Sequence, residues 1–141
     1  MRLGRLTSLL AAAALVFGAG AAEAKVHTII RWAKTGGFAG VQQTLRIRSD
    51  NVAFAGSGRG RPLPAQLGAK EVARIRKALN NAHLETLRAS YPNPGAADTF
   101  RYSVTYNGHS VSADETRVPK RLRHALGLLQ SAWEEITSSS E

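Results

Sequence analysis

Phe100-Arg101-Tyr102-Ser103-Val104-Thr105-Tyr106-Asn107-Gly108-His109-Ser110-Val111-Ser112-Ala113-Asp114 is the stretch whose reading decides the fold. Phe100, Tyr102, Val104 and Tyr106 alternate with polar residues, and Val111 and Ala113 do the same beyond the break. Period two with aromatic and β-branched residues predicts strands. Asn107-Gly108 supplies the two positive φ angles of a type I′ turn, the tightest hairpin connection. A two-residue loop sets the register. It pairs Tyr106 with His109, Val104 with Val111, Tyr102 with Ala113 and Arg101 with Asp114, the last an opposite-charge pair worth ~0.2–1 kcal/mol across a sheet.

Downstream, Pro119 suits the first helical position. Leu122, Leu126, Leu129, Trp133 and Ile136 then make one apolar stripe. Lys120, Arg121 and Arg123 crowd the first turn and Glu134 and Glu135 the last, a polarity the helix dipole disfavours. Upstream, Ser90 to Ala97 reads as a loop. Val72, Ile75, Leu79 and Ala82 follow helical spacing after Gly68, with Lys70, Arg74 and Lys77 opposite. Gly56 to Pro64 holds too many glycines and prolines for regular structure. Asn51 to Ala55 reads as a short extended piece.

Two further strands begin the domain. Ile30 and Trp32 share a face between Val26 and Lys34, and Val41, Gln43, Leu45 and Ile47 alternate with Gln42, Thr44, Arg46 and Arg48. The glycine-rich run Gly36-Gly37-Phe38-Ala39-Gly40 joins them as a hairpin. The order strand, strand, helix, strand, strand, helix predicts an α+β fold, ββαββα. Its simplest burial scheme is one four-stranded antiparallel sheet with two helices on one face.

The first 24 residues read differently. Arg2 and Arg5 precede an unbroken small and apolar run, Leu9 to Ala22, which ends in Ala22-Glu23-Ala24. This is the pattern of a secretory signal peptide cleaved after Ala24; the apolar run is shorter than the ~20 residues a membrane span needs. Residues 25–141, 117 in number, suit one domain, periplasmic or secreted, without stable membrane insertion. The chain has no cysteine, so thiolate catalysis, thiolate metal sites and disulfides are excluded. Without Arg2, Arg5 and Glu23, its 19 basic and 10 acidic residues become 17 and 9, a net charge of +8. That balance favours anionic partners.

The pattern offers little catalysis. His27, His83, His109 and His124 form no HExxH and no metal-ligand spacing, so no metal and no cofactor are expected. Asp114-Glu115 and Glu134-Glu135 are adjacent pairs whose members point different ways. Nucleic-acid binding needs aromatics interleaved with a basic stripe, but Phe100, Tyr102 and Tyr106 read as core, so no nucleic acid is expected. Phe38 is the residue in need of a reason. It either folds back to plug one end of the core or is displayed as a rigid aromatic anchor, and the sequence leaves both open.

Three segments together point to a family: the first strand running into Gly36-Gly37-Phe38-Ala39-Gly40, the Pro94-Gly95-Ala96-Ala97-Asp98-Thr99-Phe100-Arg101-Tyr102 run, and the Asn-Gly hairpin with its terminal helix. The mature chain resembles the emfourin family, proteinaceous inhibitors of thermolysin-like zinc metallopeptidases such as protealysin. The resemblance implies a non-enzymatic inhibitor whose protein partner is such a peptidase; the protein itself is expected to be a monomer. Thermolysin-like enzymes favour a large apolar residue just after the scissile bond, and Gly37–Phe38 presents one on a loop that a rigid hairpin holds extended and uncut. The partner-binding residues are then Gly36, Gly37, Phe38, Ala39 and Gly40. The alternative is a periplasmic module for an anionic ligand, envelope polymer or membrane surface, working through a basic patch of Arg46, Arg48, Arg59 and Arg61.

Overall fold

The Asn107-Gly108 hairpin forms in the register expected from its turn. In the computed structural model, which describes residues 24–141, β6 (Phe100–Tyr106) and β7 (His109–Asp114) pair Tyr106 with His109, Val104 with Val111, Tyr102 with Ala113 and Arg101 with Asp114. Asn107 and Gly108 take φ of 51° and 76°. The signal peptide expected over residues 1–24 lies outside the described residues except for Ala24. No helix among the described residues is long and apolar enough to cross a membrane.

The first hairpin also forms, from β1 (Thr28–Gly36) and β2 (Val41–Arg48). The sheet they build is not the four-stranded antiparallel one expected. It has seven strands, in the order β4-β3-β2-β1-β6-β7-β5, and it is mixed. Asn51–Ala55 is part of a full strand, β3 (Val52–Ser57), antiparallel to β2. The Gly/Pro-rich stretch read as loop returns as β4 (Leu63–Gln66) on the edge. Pro64 lacks an N–H, but an edge strand leaves one side of its ladder unpaired and tolerates the loss. Ser90–Tyr91, inside the other expected loop, forms the two-residue β5, parallel to β7.

The α+β class holds, with both helices on one face of the sheet. Ile30, Trp32, Leu45, Ile47, Ala53, Ala55, Val104, Tyr106, Val111 and Ala113 give that face its apolar surface. Helix α1 (Ala69–Ala82) covers it with Val72, Ile75, Leu79 and Ala82. Helix α2 (Lys120–Ser138) does so with Leu122, Leu126, Leu129 and Ile136, and adds Ala125 and Ala132. His83 caps α1 in the left-handed conformation, and Leu84 re-enters the core in a 3-10 turn, Leu84–Thr86. Trp133, half-buried, donates its Nε1–H to the Gly56 carbonyl at 2.9 Å, tying α2 to β3. The basic start of α2 has one tie across the fold: Arg121 donates to Thr86 Oγ1 at 3.1 Å.

Candidate functional site

Strand β1 is the fourth of the seven, so the β1–β2 loop sits at the middle of one sheet end. Gly36 is the last paired residue, opposite both Val41 and Phe100. Gly37-Phe38-Ala39-Gly40 then reverses the chain. Gly40 donates its N–H to the Gly37 carbonyl at 3.0 Å. The tip is therefore a hydrogen-bonded β-turn with Phe38 and Ala39 at its corner, not the extended segment the sequence suggested.

The glycines are required by the backbone. Gly36, Gly37 and Gly40 have φ of 100°, 73° and 62°, where L side chains are strained. A Cβ on Gly36 would lie 2.7 Å from the Thr99 carbonyl, and one on Gly37 would lie 2.6 Å from Phe100 Cε1. Phe38 is not folded back: it is 95% exposed. Among the described residues only Val26 and Leu63 are other large apolar side chains classed as exposed, and both are far less so.

The tip is braced from β6. Gly37 donates its N–H to the Thr99 carbonyl at 3.1 Å. Phe100 lies under Gly37, and the Lys34 ammonium sits 4.2 Å from its ring centroid, a cation–π contact. Thr99 in turn donates its hydroxyl to Asp114 Oδ2. The other carboxylate oxygen accepts from the Thr116 hydroxyl and from the Thr116 N–H at 3.0 Å. Asp114 is 6% exposed, the one buried charged residue among those described. Hydrogen bonds from Thr116 and then Thr99 hold its pKa below the usual Asp value. Sequence reasoning set Asp114 opposite Arg101, where it does stand, but its carboxylate is held by two threonines. The Asp114-Glu115-Thr116 spacing was the signal, since Asp readily bonds the N–H two residues on.

Of the four arginines singled out in the sequence, Arg46 and Arg48 share the Phe54 ring, the latter 5.5 Å from its centroid. Arg59 and Arg61 are exposed on the β3–β4 loop. That loop lies at the same end of the sheet as Phe38, since Gly58 donates to the Gln42 carbonyl at 2.8 Å. Arg46 projects from the middle of β2 on the helix-free face, its guanidinium 4.8 Å from the Phe54 ring centroid. Arg48 ends β2 at the far side and is ion-paired with Asp50. That pairing lowers the Asp50 pKa and raises that of Arg48. No group of three or more His, Cys, Asp or Glu side chains among the described residues is placed to hold a metal ion.

The protruding turn, its bracing strand and the hairpin that carries the brace all lie within one matched segment. The sequence profile of the Emfourin family matches residues 32–130. No curated protein and no solved structure gives a significant match. The match covers more than half of the chain and runs from β1 into α2, and on it the chain belongs to the emfourin family.

Proposed function

We propose that the protein is an exported inhibitor of a thermolysin-like zinc metallopeptidase and engages the active-site cleft through Gly36–Gly40. One observation carries this reading: a phenylalanine 95% exposed at the tip of a turn that three glycines and the Thr99 carbonyl hold in place. An exposed aromatic on a pre-ordered support binds without the entropy cost of ordering a free loop. It also has the dimensions of an anchor residue.

The turn gives the inhibitor its resistance. The Phe38 side chain enters the apolar pocket that receives the residue after a scissile bond. The Gly37–Phe38 peptide, bent into a corner closed by Gly40 N–H, does not lie along the cleft as an extended substrate does. Hydrolysis requires near-attack alignment of the carbonyl with the metal-bound water, and the corner withholds it. Arg59 and Arg61, at the same end of the sheet, favour an acidic rim on the peptidase. The pattern of Arg2, Arg5 and Leu9–Ala22 supports export to where secreted peptidases act.

The test is inhibition of a thermolysin-like peptidase by residues 25–141, read on a small fluorogenic peptide. Near-equimolar protein should abolish hydrolysis, and Phe38→Ala should raise the inhibition constant about thirty-fold or more, as expected for an anchor worth about 2 kcal/mol. Inhibition that survives Phe38→Ala undiminished would reject the loop as the contact.

A further inference from the structure

The helix-free face of the sheet carries an arrangement that the tip does not use. Register places Arg31 of β1 directly opposite Arg46 of β2, with Cβ atoms of such pairs ~5 Å apart. Both are exposed. Among the described residues the only ion pairs are Arg48–Asp50 and His83–Glu85, so neither guanidinium meets a carboxylate. Like charges directly opposite each other destabilise a sheet. Here they stand at its centre, on the strands that carry the recognition hairpin.

They flank a depression of about 420 Å³ lined by Arg31, Arg46, Thr44, Ser103, Thr105 and Phe54. Ala33 separates Thr44 from Ser103 in the next row, and its small side chain keeps the floor low. Thr105 Oγ1 is engaged with Ser110 Oγ at 2.7 Å. The hydroxyls of Thr44 and Ser103 have no protein partner among the described residues. Gly56 opens the rim, since a Cβ there would collide with Thr44 Oγ1. Phe54 stacks against Arg46, its centroid 4.8 Å from the guanidinium carbon, which restricts where that fork can point.

From this juxtaposition we infer a second ligand site, separate from the tip and independent of the inhibitor reading: Arg31 and Arg46 clamp the phosphate group of a small soluble phosphoester. Two guanidinium forks match the oxygens of a phosphate bidentately, two free hydroxyls supply the remaining donors, and the bound dianion removes the repulsion between the arginines. A soluble source fits better than a lipid headgroup. None of the exposed large apolar side chains, Val26, Phe38 and Leu63, lines the depression to enter a bilayer beside it.

The experiment is a titration of the protein with inorganic phosphate at constant ionic strength, chloride being the control anion, followed by the arginine Nε–Hε signals in NMR. Saturable shifts at Arg31 and Arg46 that chloride does not reproduce are expected. Arg31→Gln and Arg46→Gln should each weaken the affinity about ten-fold, and Phe38→Ala should leave it unchanged. Shifts equal to those with chloride, shifts that do not saturate, or unaltered affinity in both arginine variants would overturn the site. Co-sedimentation with phosphatidylcholine vesicles doped with phosphatidic acid, without a response to inorganic phosphate, would overturn the soluble source.

Discussion

A phenylalanine ring held in water forgoes the ~1.5–3 kcal/mol that burial of such a side chain contributes. Phe38 therefore does nothing for the fold, and its removal should show that. Phe38→Ala is expected to change unfolding free energy by less than about 0.5 kcal/mol, as for surface substitutions generally, while inhibition weakens about thirty-fold or more. Thermal denaturation alongside the peptidase assay separates the two. Gly36 is the reverse case. Its φ of 100° and the Thr99 carbonyl, 2.7 Å from where a Cβ would sit, make Gly36→Ala a strained substitution against backbone rather than against a movable side chain. It should destabilise the protein by ~1–3 kcal/mol, measured by urea denaturation. A stability unchanged from wild type would mean that the loop relaxes freely and is no rigid support.

At the level of elements, Asp114 links two of them: it ends β7 and, through Thr99, holds the start of β6 where the tip leans. It is a positioning residue. Asp114→Ala should weaken inhibition without removing any group that meets the peptidase, and Asp114→Asn should restore part of it by keeping one acceptor. Because its folded pKa lies below the ordinary 3.8, the stability it supplies is complete above that value. It is lost as pH falls from 3.8 toward the lower folded value. Acid unfolding of Asp114→Ala should accordingly show a shallower fall over that window. Identical acid profiles for variant and wild type would remove Asp114 from this role. The elements also show what could be read in advance. Asn107-Gly108 and the alternation around it specify a hairpin to the residue, because turn chemistry and burial agree. β4 and β5 were hidden for opposite reasons. β4 contains Pro64 among glycines and prolines that argue for a loop, and only its edge position makes the proline harmless. β5 is two residues long, too short for any period to register. The braces were hidden too, since Thr99 and Thr116 carry no pattern of their own and matter only through the buried carboxylate they share. Phe38 was legible as an oddity but not as an exposed one.

At the scale of the whole molecule, the charge is spread and predominantly positive. Lys70, Arg74, Arg76 and Lys77 line the solvent side of α1, Lys120, Arg121 and Arg123 begin α2, and Arg59 and Arg61 flank the tip end. A net +8 over residues 25–141 should steer encounter with an acidic peptidase. Stopped-flow association rates should then fall as salt shortens the ~10 Å screening length of 0.1 M solutions. On the proposed contact through Phe38, the dissociation rate should move far less. An association rate indifferent to salt would mean that the charge serves some other contact. The position of β1 in the middle of the sheet, between β2 and β6, bears on what happens if the tip is ever nicked. Hydrolysis of an ordinary substrate is driven forward because two fragments diffuse apart. Here both new chain ends would stay zipped to neighbouring strands, one through β1 to β6 and the other through β2 to β3. No translational freedom would be released, and the severed chain would remain a folded body with Phe38 still at its tip.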